Sequence, residues 1–493
     1  MPKVVSPSDL PDDRETTTIT SAPAATELSE ALAQLTSRFS LVNDFSPAAL
    51  AEAVLAKVDA VLPERDLTDI RFFTIDPEGS TDLDQAMHIA REPDGFTVLY
   101  AIADVSNFVE PHGPMDVESH RRGQTIYAPD GRIPLYPTQI SEGAASLLPN
   151  VVRGAFVWEL TLDHTGNVTS ARVERARITS SAQLSYASAQ EAIDNGSAPE
   201  ALALLETVGQ ARIVLERIRG GASLGRLSVD VEPKDGSYIL VRRSPLPVED
   251  WNAQISLMTG MAAAGMMLSA GTGILRTMPP PDAATLGAFR AQAAALGHPW
   301  PADQAYGEYL RSLDVHRPNE LAIMHAARSL FRGATYTAFE GEPPAETIQA
   351  AIAAPYAHVT APIRRLVDRY TLVICEAISA DVPLPQWVRS ALPGLPAEMR
   401  SSDQVAGSLD RAAVDIVEAA VLSGLIGHEF DATVISANTS SGQIQIAEPA
   451  VTARCTGAMA PGEHIRARLI EATIATGVVR FEKTAGSQGL PAV

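Results

Sequence analysis

Four acidic side chains, Asp76, Glu78, Asp82 and Asp84, fall within nine residues of the stretch FFTIDPEGSTDLDQA, directly after an apolar, strand-like run. Like charges this close repel, so the chain either leaves them in water or neutralises them with something cationic. Asp76 closes the strand pattern, PEGST reads as a turn, and Asp82 and Asp84 lie two apart, on one side of an extended segment. Three carboxylates converging on one point are hard oxygen ligands of the kind magnesium takes, together with water and a substrate phosphate. A solvated acidic loop is the plain alternative. An EF-hand fails because its central Gly and terminal Glu are misplaced. The mounting of the loop between two apolar strands favours the metal reading.

A second constellation is YAHVTAPIRRLVDRYTLVICEAI, residues 356–378. Pro362 suits the first turn of a helix whose buried stripe is Ile363, Leu366, Val367 and Tyr370. Arg364, Arg365 and Arg369 then crowd a helix start that is already partly positive. Cations belong there where an anion binds, since N-terminal amides and guanidinium forks both suit phosphate. The structural alternative is an ion pair of Arg364 with Asp368. An acidic cluster plus phosphate-seeking arginines points to phosphoryl transfer. A third stretch, RRGQTIYAPDGRIPLYP at 121–137, sets Arg121, Arg122 and Arg132 among Tyr127 and Tyr136. Basic residues interleaved with aromatics hold single-stranded nucleic acid through backbone contacts and base stacking. Tyrosines beside Pro-rich turns also serve packing, so this stretch alone decides nothing.

The elements that must position these residues change character along the chain. Residues 1–26 lack periodicity and read as a flexible tail; 27–65 carry helical spacing, with Ser46 and Pro47 as a helix start, and form a small helical module, with a helix-turn-helix as one reading. From 66 the period becomes two, in IRFFTID, QAMHIA, FTVLYAIADV, AFVWELTLD and NVTSARVERARI, with turns at EPDG, APDG and DHTG. Helical stretches follow to 426, and 427–485 return to short alternating strands that suit a closed barrel of the OB type, before a tail at 486–493. The fold class is therefore α+β and multidomain, a large mixed α/β domain flanked by the helical module and the barrel.

At 493 residues and 46% apolar content the chain can build sizeable cores. No apolar run reaches the roughly 18–20 residues of a membrane span, so no membrane partner is expected, and the N-terminus lacks a secretory pattern. Two distant cysteines, Cys375 and Cys455, suit a reducing cytoplasm. A formal net charge of −21 opposes a simple basic nucleic-acid binder, so any polyanion must meet a sheltered, Arg-rich site.

In order and in register, TIDPEGSTDLDQA, YAIADVSNFV, RRGQTIYAPDGRIPLYPTQISEGAASLLPN and YAHVTAPIRRLVDRY resemble the catalytic (RNB-type) domain of the ribonuclease II / ribonuclease R family over residues 66–426. The resemblance implies processive, magnesium-dependent 3′-to-5′ hydrolysis of single-stranded RNA with a free 3′ end, releasing nucleoside 5′-monophosphates, with manganese as the alternative ion. It places Asp76, Asp82 and Asp84 on the family's metal-binding aspartates, with Asp84 closest to the chemistry. Arg364 falls on the arginine that stabilises the transition-state phosphate, and Tyr127 on the aromatic that stacks on the 3′ base. Arg121, Arg122, Arg365 and Arg369 are carried as RNA contacts, and a monomer is expected. A narrow, buried channel reconciles RNA with an acidic exterior.

The departures from the pattern are specific. Gln85 stands where the family has a further aspartate, which leaves one tight and one weak metal position as the expectation, with Gln85 as the poor ligand. Ala361 replaces a serine, ISLMTGMAAAGMM lacks an expected pair of glutamates, and only Val229 falls where a second base-clamping aromatic is expected. Two N-terminal cold-shock barrels usual in relatives are replaced by the helical module, which suggests entry into structured RNA. A catalytically weakened RNA-binding member of the same family is the competing reading.

Overall fold

The computed structural model describes residues 15–18, 22–128, 131–222, 229–234, 237–242, 245–314, 317–446 and 451–484. Helix α1 (Ala22–Arg38) and helix α2 (Pro47–Asp59) come first. The side chain of Ser46 accepts the N–H of Ala49 and Pro47 opens α2, as an N-terminal signal should. The tail expected over 1–26 is shorter than the sequence suggests: α1 starts at Ala22, and Glu15–Thr18 pair as a strand with Ser237–Arg242. The side chain of Val229 and residues 486–493 lie outside the described residues.

The period-two segments become strands β1 (Phe72–Asp76), β2 (Gln85–Glu92) and β3 (Gly95–Ala103); helix α3 (Pro114–Arg122) follows, then β4 (Val152–Asp163) and β5 (Val168–Ser185). Alternation foretold these strands but not their closure. They form a barrel in the order β1-β2-β3-β4-β5, sealed by parallel pairing of β1 with β5. Closure leaves no open edge and places Phe72, Tyr100, Phe156 and Trp158 in a fully buried core.

Helix α4 (Pro247–Ala270) is long and apolar enough, by composition, to cross a membrane, contrary to the reading of the sequence. Its apolar character has another cause. Ile255, Met258, Ala263, Ala264 and Met267 are buried in the same core as the barrel, the mark of a central helix in a large domain. Helix α5 (Leu366–Ser379) and the 28-residue α6 (Leu395–Leu422) complete the helical layer. Leu28, Leu32 and Leu35 of α1 share a core with Leu409, Ile416 and Val417 of α6 and with Ile126 and Ile133 of the short hairpin around Tyr127. The helical module thus braces a hairpin of the candidate site.

Strands β6 (Glu429–Ala437), β7 (Ser441–Ile446), β8 (Val451–Thr456), β9 (His464–Thr473) and β10 (Val478–Lys483) close a second barrel in the order β6-β7-β8-β10-β9. It has its own core around Val434, Ile444, Leu469 and Phe481.

Candidate active site

The acidic loop leaves β1 at Asp76 and enters β2 at Gln85. It is held rigidly: Ser146 Oγ accepts the N–H of Leu83 at 3.0 Å and donates to the carbonyl of Thr81 at 2.7 Å, and Leu147 N–H donates to Leu83 O. Leu83 is fully buried, so the side chains on either side of it have fixed directions.

The loop's charges are met by two arginines. Arg132 Nη1 lies 2.6 Å from Asp82, and its Nη2 reaches Thr81 Oγ1 at 2.7 Å and Glu142 at 2.8 Å. Arg364 Nε donates to Asp84 Oδ2 at 2.7 Å, and the N–H of Ile363 donates to Oδ1 at 2.8 Å. Asp84 is 1% exposed, and burial pushes it up to about 7 despite Arg364. Burial also raises Asp76, to about 6; the charge of Arg364 opposes this and that of Asp82 adds to it. Asp76, Asp82, Asp84 and Arg364 therefore share one electrostatic site.

Tyr127 is 54% exposed on the hairpin opposite Arg132, with its hydroxyl 3.4 Å from Asp82. Arg364, 39% exposed, reaches from Asp84 toward this hydroxyl. An exposed aromatic face beside an arginine suits a base and its phosphate.

The expected three-aspartate metal cradle is not closed. Among the described residues no three His, Cys, Asp or Glu side chains are grouped to hold an ion on their own. Asp84 is committed to Ile363 and Arg364. Gln85 is not a ligand in this arrangement: its Nε2 donates to Thr360 O at 2.5 Å and its Oε1 accepts from Tyr100 Oη at 2.9 Å. Tyr100 Oη in turn lies 2.7 Å from Ser256 Oγ on α4, in the segment where the resemblance calls for glutamates. A neutral Gln85–Tyr100–Ser256 chain thus links two of the departures from the family pattern.

One acceptor near Asp82 is nevertheless still open to an ion, although Asp82 itself is held by Arg132. Oδ2 of Asp76 is buried without a hydrogen-bond partner, an orphaned acceptor that a hard cation satisfies. Two carboxylates plus a substrate phosphate meet the usual needs of one magnesium ion.

The arginines divide by role. Pro362 precedes the helix rather than opening it, because α5 starts at Leu366; Arg365 caps it in extended conformation. Arg365, not Arg364, pairs with Asp368, through Nε at 2.8 Å and Nη2 at 2.6 Å. Asp368 also accepts the N–H of Ala361 at 2.7 Å, which ties down the loop carrying Arg364. Arg369 is fully buried, paired with Asp116 at 2.7 Å and flanked by the rings of Tyr370 and Trp387, so it cannot touch RNA. Arg122 lies over Phe45 and donates to the carbonyls of Asp44 and Pro134, a packing role as well. Arg121 is exposed and pairs with Glu118 at 2.8 Å.

Sequence reasoning passed over Glu142, Tyr100, Ser256 and His358. His358 meets Tyr336 Oη at 2.7 Å and lies edge-on to the rings of Tyr336 and Tyr356, and burial beside Arg365 and Arg276 holds it neutral. Only its place six residues before Arg364 in the quoted motif signalled it.

Comparison with known proteins settles the family. The RNB domain matches residues 64–380, more than half of the chain. The chain belongs to the RNB-domain family. The RNase II-type exonuclease C-terminal S1 domain matches 428–484, the second barrel. The RNB chain is 31% identical over 326 residues to the exosome complex exonuclease RRP44 homolog A of Arabidopsis thaliana, covering 62% of this chain and 34% of that one. It is 27% identical over 431 residues to ribonuclease R of Chlamydia trachomatis, covering 81% and 58%. It thus spans less than two thirds of these curated relatives. Its fold is similar to that of apo Mycoplasma genitalium RNase R, with TM-score 0.82, 18% identity and coverage of 93% and 78%. It is also similar to yeast Ssd1, described as a pseudonuclease, with TM-score 0.66, 18% identity and coverage of 82% and 52%.

Proposed function

We propose that this RNB protein is a divalent-metal-dependent 3′-to-5′ exoribonuclease acting on single-stranded RNA with a free 3′ end. The observation that carries the reading is Arg364, partly exposed, fixed by the buried carboxylate of Asp84 beside the orphaned oxygen of Asp76. Membership of the RNB family and the likeness to ribonuclease R support it.

The residues then have distinct tasks. Tyr127 stacks on the terminal base. Arg364 keeps Nε on Asp84 and turns its outer edge to the scissile phosphate, where it stabilises charge that grows in the transition state. Asp76 and Asp82 would hold magnesium, or manganese, which lowers the pKa of a bound water and polarises the phosphate. A water oxygen bonds to phosphorus as the bond to the 3′ oxygen of the preceding nucleotide breaks; the water's proton ends on that 3′ oxygen, and a nucleoside 5′-monophosphate leaves. The shortened RNA keeps a 3′ hydroxyl, so the cycle repeats processively. Entry into structured RNA and a cytoplasmic location belong to the same reading.

A second reading, an RNA-binding member with weakened turnover, is favoured by the neutral Gln85–Tyr100–Ser256 chain. A time course on 5′-labelled single-stranded RNA separates the two. Direct passage to a short end product, with magnesium and intact Asp84 only, supports the nuclease. Full-length RNA bound but uncut in every lane supports the binder.

A further inference from the structure

Two neighbouring residues of the acidic loop hold the loop that carries Arg364, and they hold it in opposite ways. Asp84 accepts the N–H of Ile363 at 2.8 Å, while Gln85 donates from Nε2 to the carbonyl of Thr360 at 2.5 Å. The rest of the loop is gripped as closely. Asp368 accepts the N–H of Ala361 at 2.7 Å, and the N–H groups of Arg364 and Arg365 both turn back to Ala361 O, at 3.1 and 2.8 Å. Beyond the arginine, Thr125 N–H donates to Arg364 O and Leu366 N–H to Gly123 O, each at 2.9 Å.

Among the described side chains that grip this loop's backbone, Asp84 and Asp368 accept and Gln85 alone donates. Thr360 is 4% exposed, so its carbonyl needs a donor from the protein. A carboxylate of the same length at position 85 would set oxygen against oxygen there.

The amide is itself aimed. Tyr100 Oη donates to Gln85 Oε1 at 2.9 Å, which fixes the end of the amide that faces Thr360. Tyr100 is fully buried and has one proton to give, so at its 2.7 Å contact with Ser256 it accepts and Ser256 donates. The donors therefore run one way, from Ser256 on α4 through Tyr100 on β3 and Gln85 at the head of β2 to Thr360. Core helix and barrel together fix one carbonyl, four residues before the guanidinium.

We propose that Gln85 is a positioning residue for Arg364, set by Tyr100 and Ser256 to hold Thr360 so that the guanidinium meets the scissile phosphate in one place. The inference rests on the nuclease reading above. Arg364 acts on charge that grows in the transition state, so releasing its loop lowers kcat and leaves KM nearly alone. A displacement of about 1 Å in such a group costs up to about 10²-fold.

Two substitutions test this. Gln85→Glu keeps the length and exchanges the donor for an acceptor; Gln85→Met keeps the length and removes both. On single-stranded RNA each should lower kcat at least about tenfold with KM within about threefold of wild type. Calorimetry should show magnesium bound more tightly by Gln85→Glu in spite of its lower kcat. Hydrogen exchange of the RNA-free protein reads the loop apart from turnover: amides of residues 361–366 should exchange at least about tenfold faster in Gln85→Met, with those of β4 unchanged. A Gln85→Glu protein that binds magnesium more tightly and turns over faster would make residue 85 a metal ligand and overturn the proposal. So would a rise in KM at constant kcat, or loop exchange at the wild-type rate in Gln85→Met. If the wild type cuts no RNA, the nuclease reading fails by itself, and the exchange experiment alone decides whether Gln85 holds the loop.

Discussion

Arg364 and Asp84 form a fixed unit: Nε lies 2.7 Å from one carboxylate oxygen, and the backbone N–H of Ile363 meets the other at 2.8 Å. One buried acid therefore orients both the arginine and the chain that carries it. Asp84→Asn keeps the amide contact but frees the guanidinium. Turnover should fall by about 10²–10³, the usual cost of removing one transition-state donor, while binding of a short RNA changes little. Single-turnover kinetics beside a filter-binding isotherm would check this; equal losses in both would mean that the pair serves binding and not turnover.

The neutral chain from Gln85 through Tyr100 to Ser256 predicts the metal count. Calorimetric titration of magnesium into the wild type should give one tight site, with any second ion much weaker. Gln85→Asp should strengthen the second event. Tyr100→Phe should leave magnesium binding intact yet cost about 1–3 kcal/mol of stability by stranding buried polar atoms. Two equally tight sites in the wild type would contradict this account.

Arg369 and Arg364 lie five residues apart and should behave oppositely. Arg369→Ala strands Asp116 in the core and should destabilise by about 3–5 kcal/mol, read from urea unfolding. Affinity for RNA, measured where the variant is still folded, should not move. An RNA defect in a stable Arg369→Ala protein would restore it to the binding surface.

Glu418 on α6 supplies a pH test away from the site. Burial, reinforced by the charge of Asp415, pushes it up to about 8. Unfolded, it titrates near 4.3. Its stabilising contribution is fully present below about pH 4.3 and is lost as pH rises through about 8, because the folded state must then hold a half-buried charge. Glu418→Gln should raise the melting temperature near pH 9 and do little near pH 5. No gain near pH 9 would show that the charge is accommodated.

What the sequence disclosed follows from the range of the forces involved. The strands were legible because alternation is local, and Arg364 drew attention because a cation near a helix start needs an anion, which the structure supplies as Asp84. Arg122 and Arg369 misled because their partners, Phe45, Asp44 and Asp116, come from distant segments. The same distance hid the partner of Arg132, whose hold on Asp82 crosses fifty residues. Gln85 was recognised as a departure, but its bonds to Tyr100 and Thr360 depend on the barrel having closed.

The core shared by Leu28, Leu32 and Leu35 with Ile126 and Ile416 also bears on how this protein can be cut. Removing the first forty residues as a dispensable leader would strip the floor from the hairpin that presents Tyr127 and leave a greasy scar along α6. The smallest piece that folds with its stacking platform in place must begin before Ala22. Proteolytic nicks between α1 and α2 should uncouple base capture from hydrolysis.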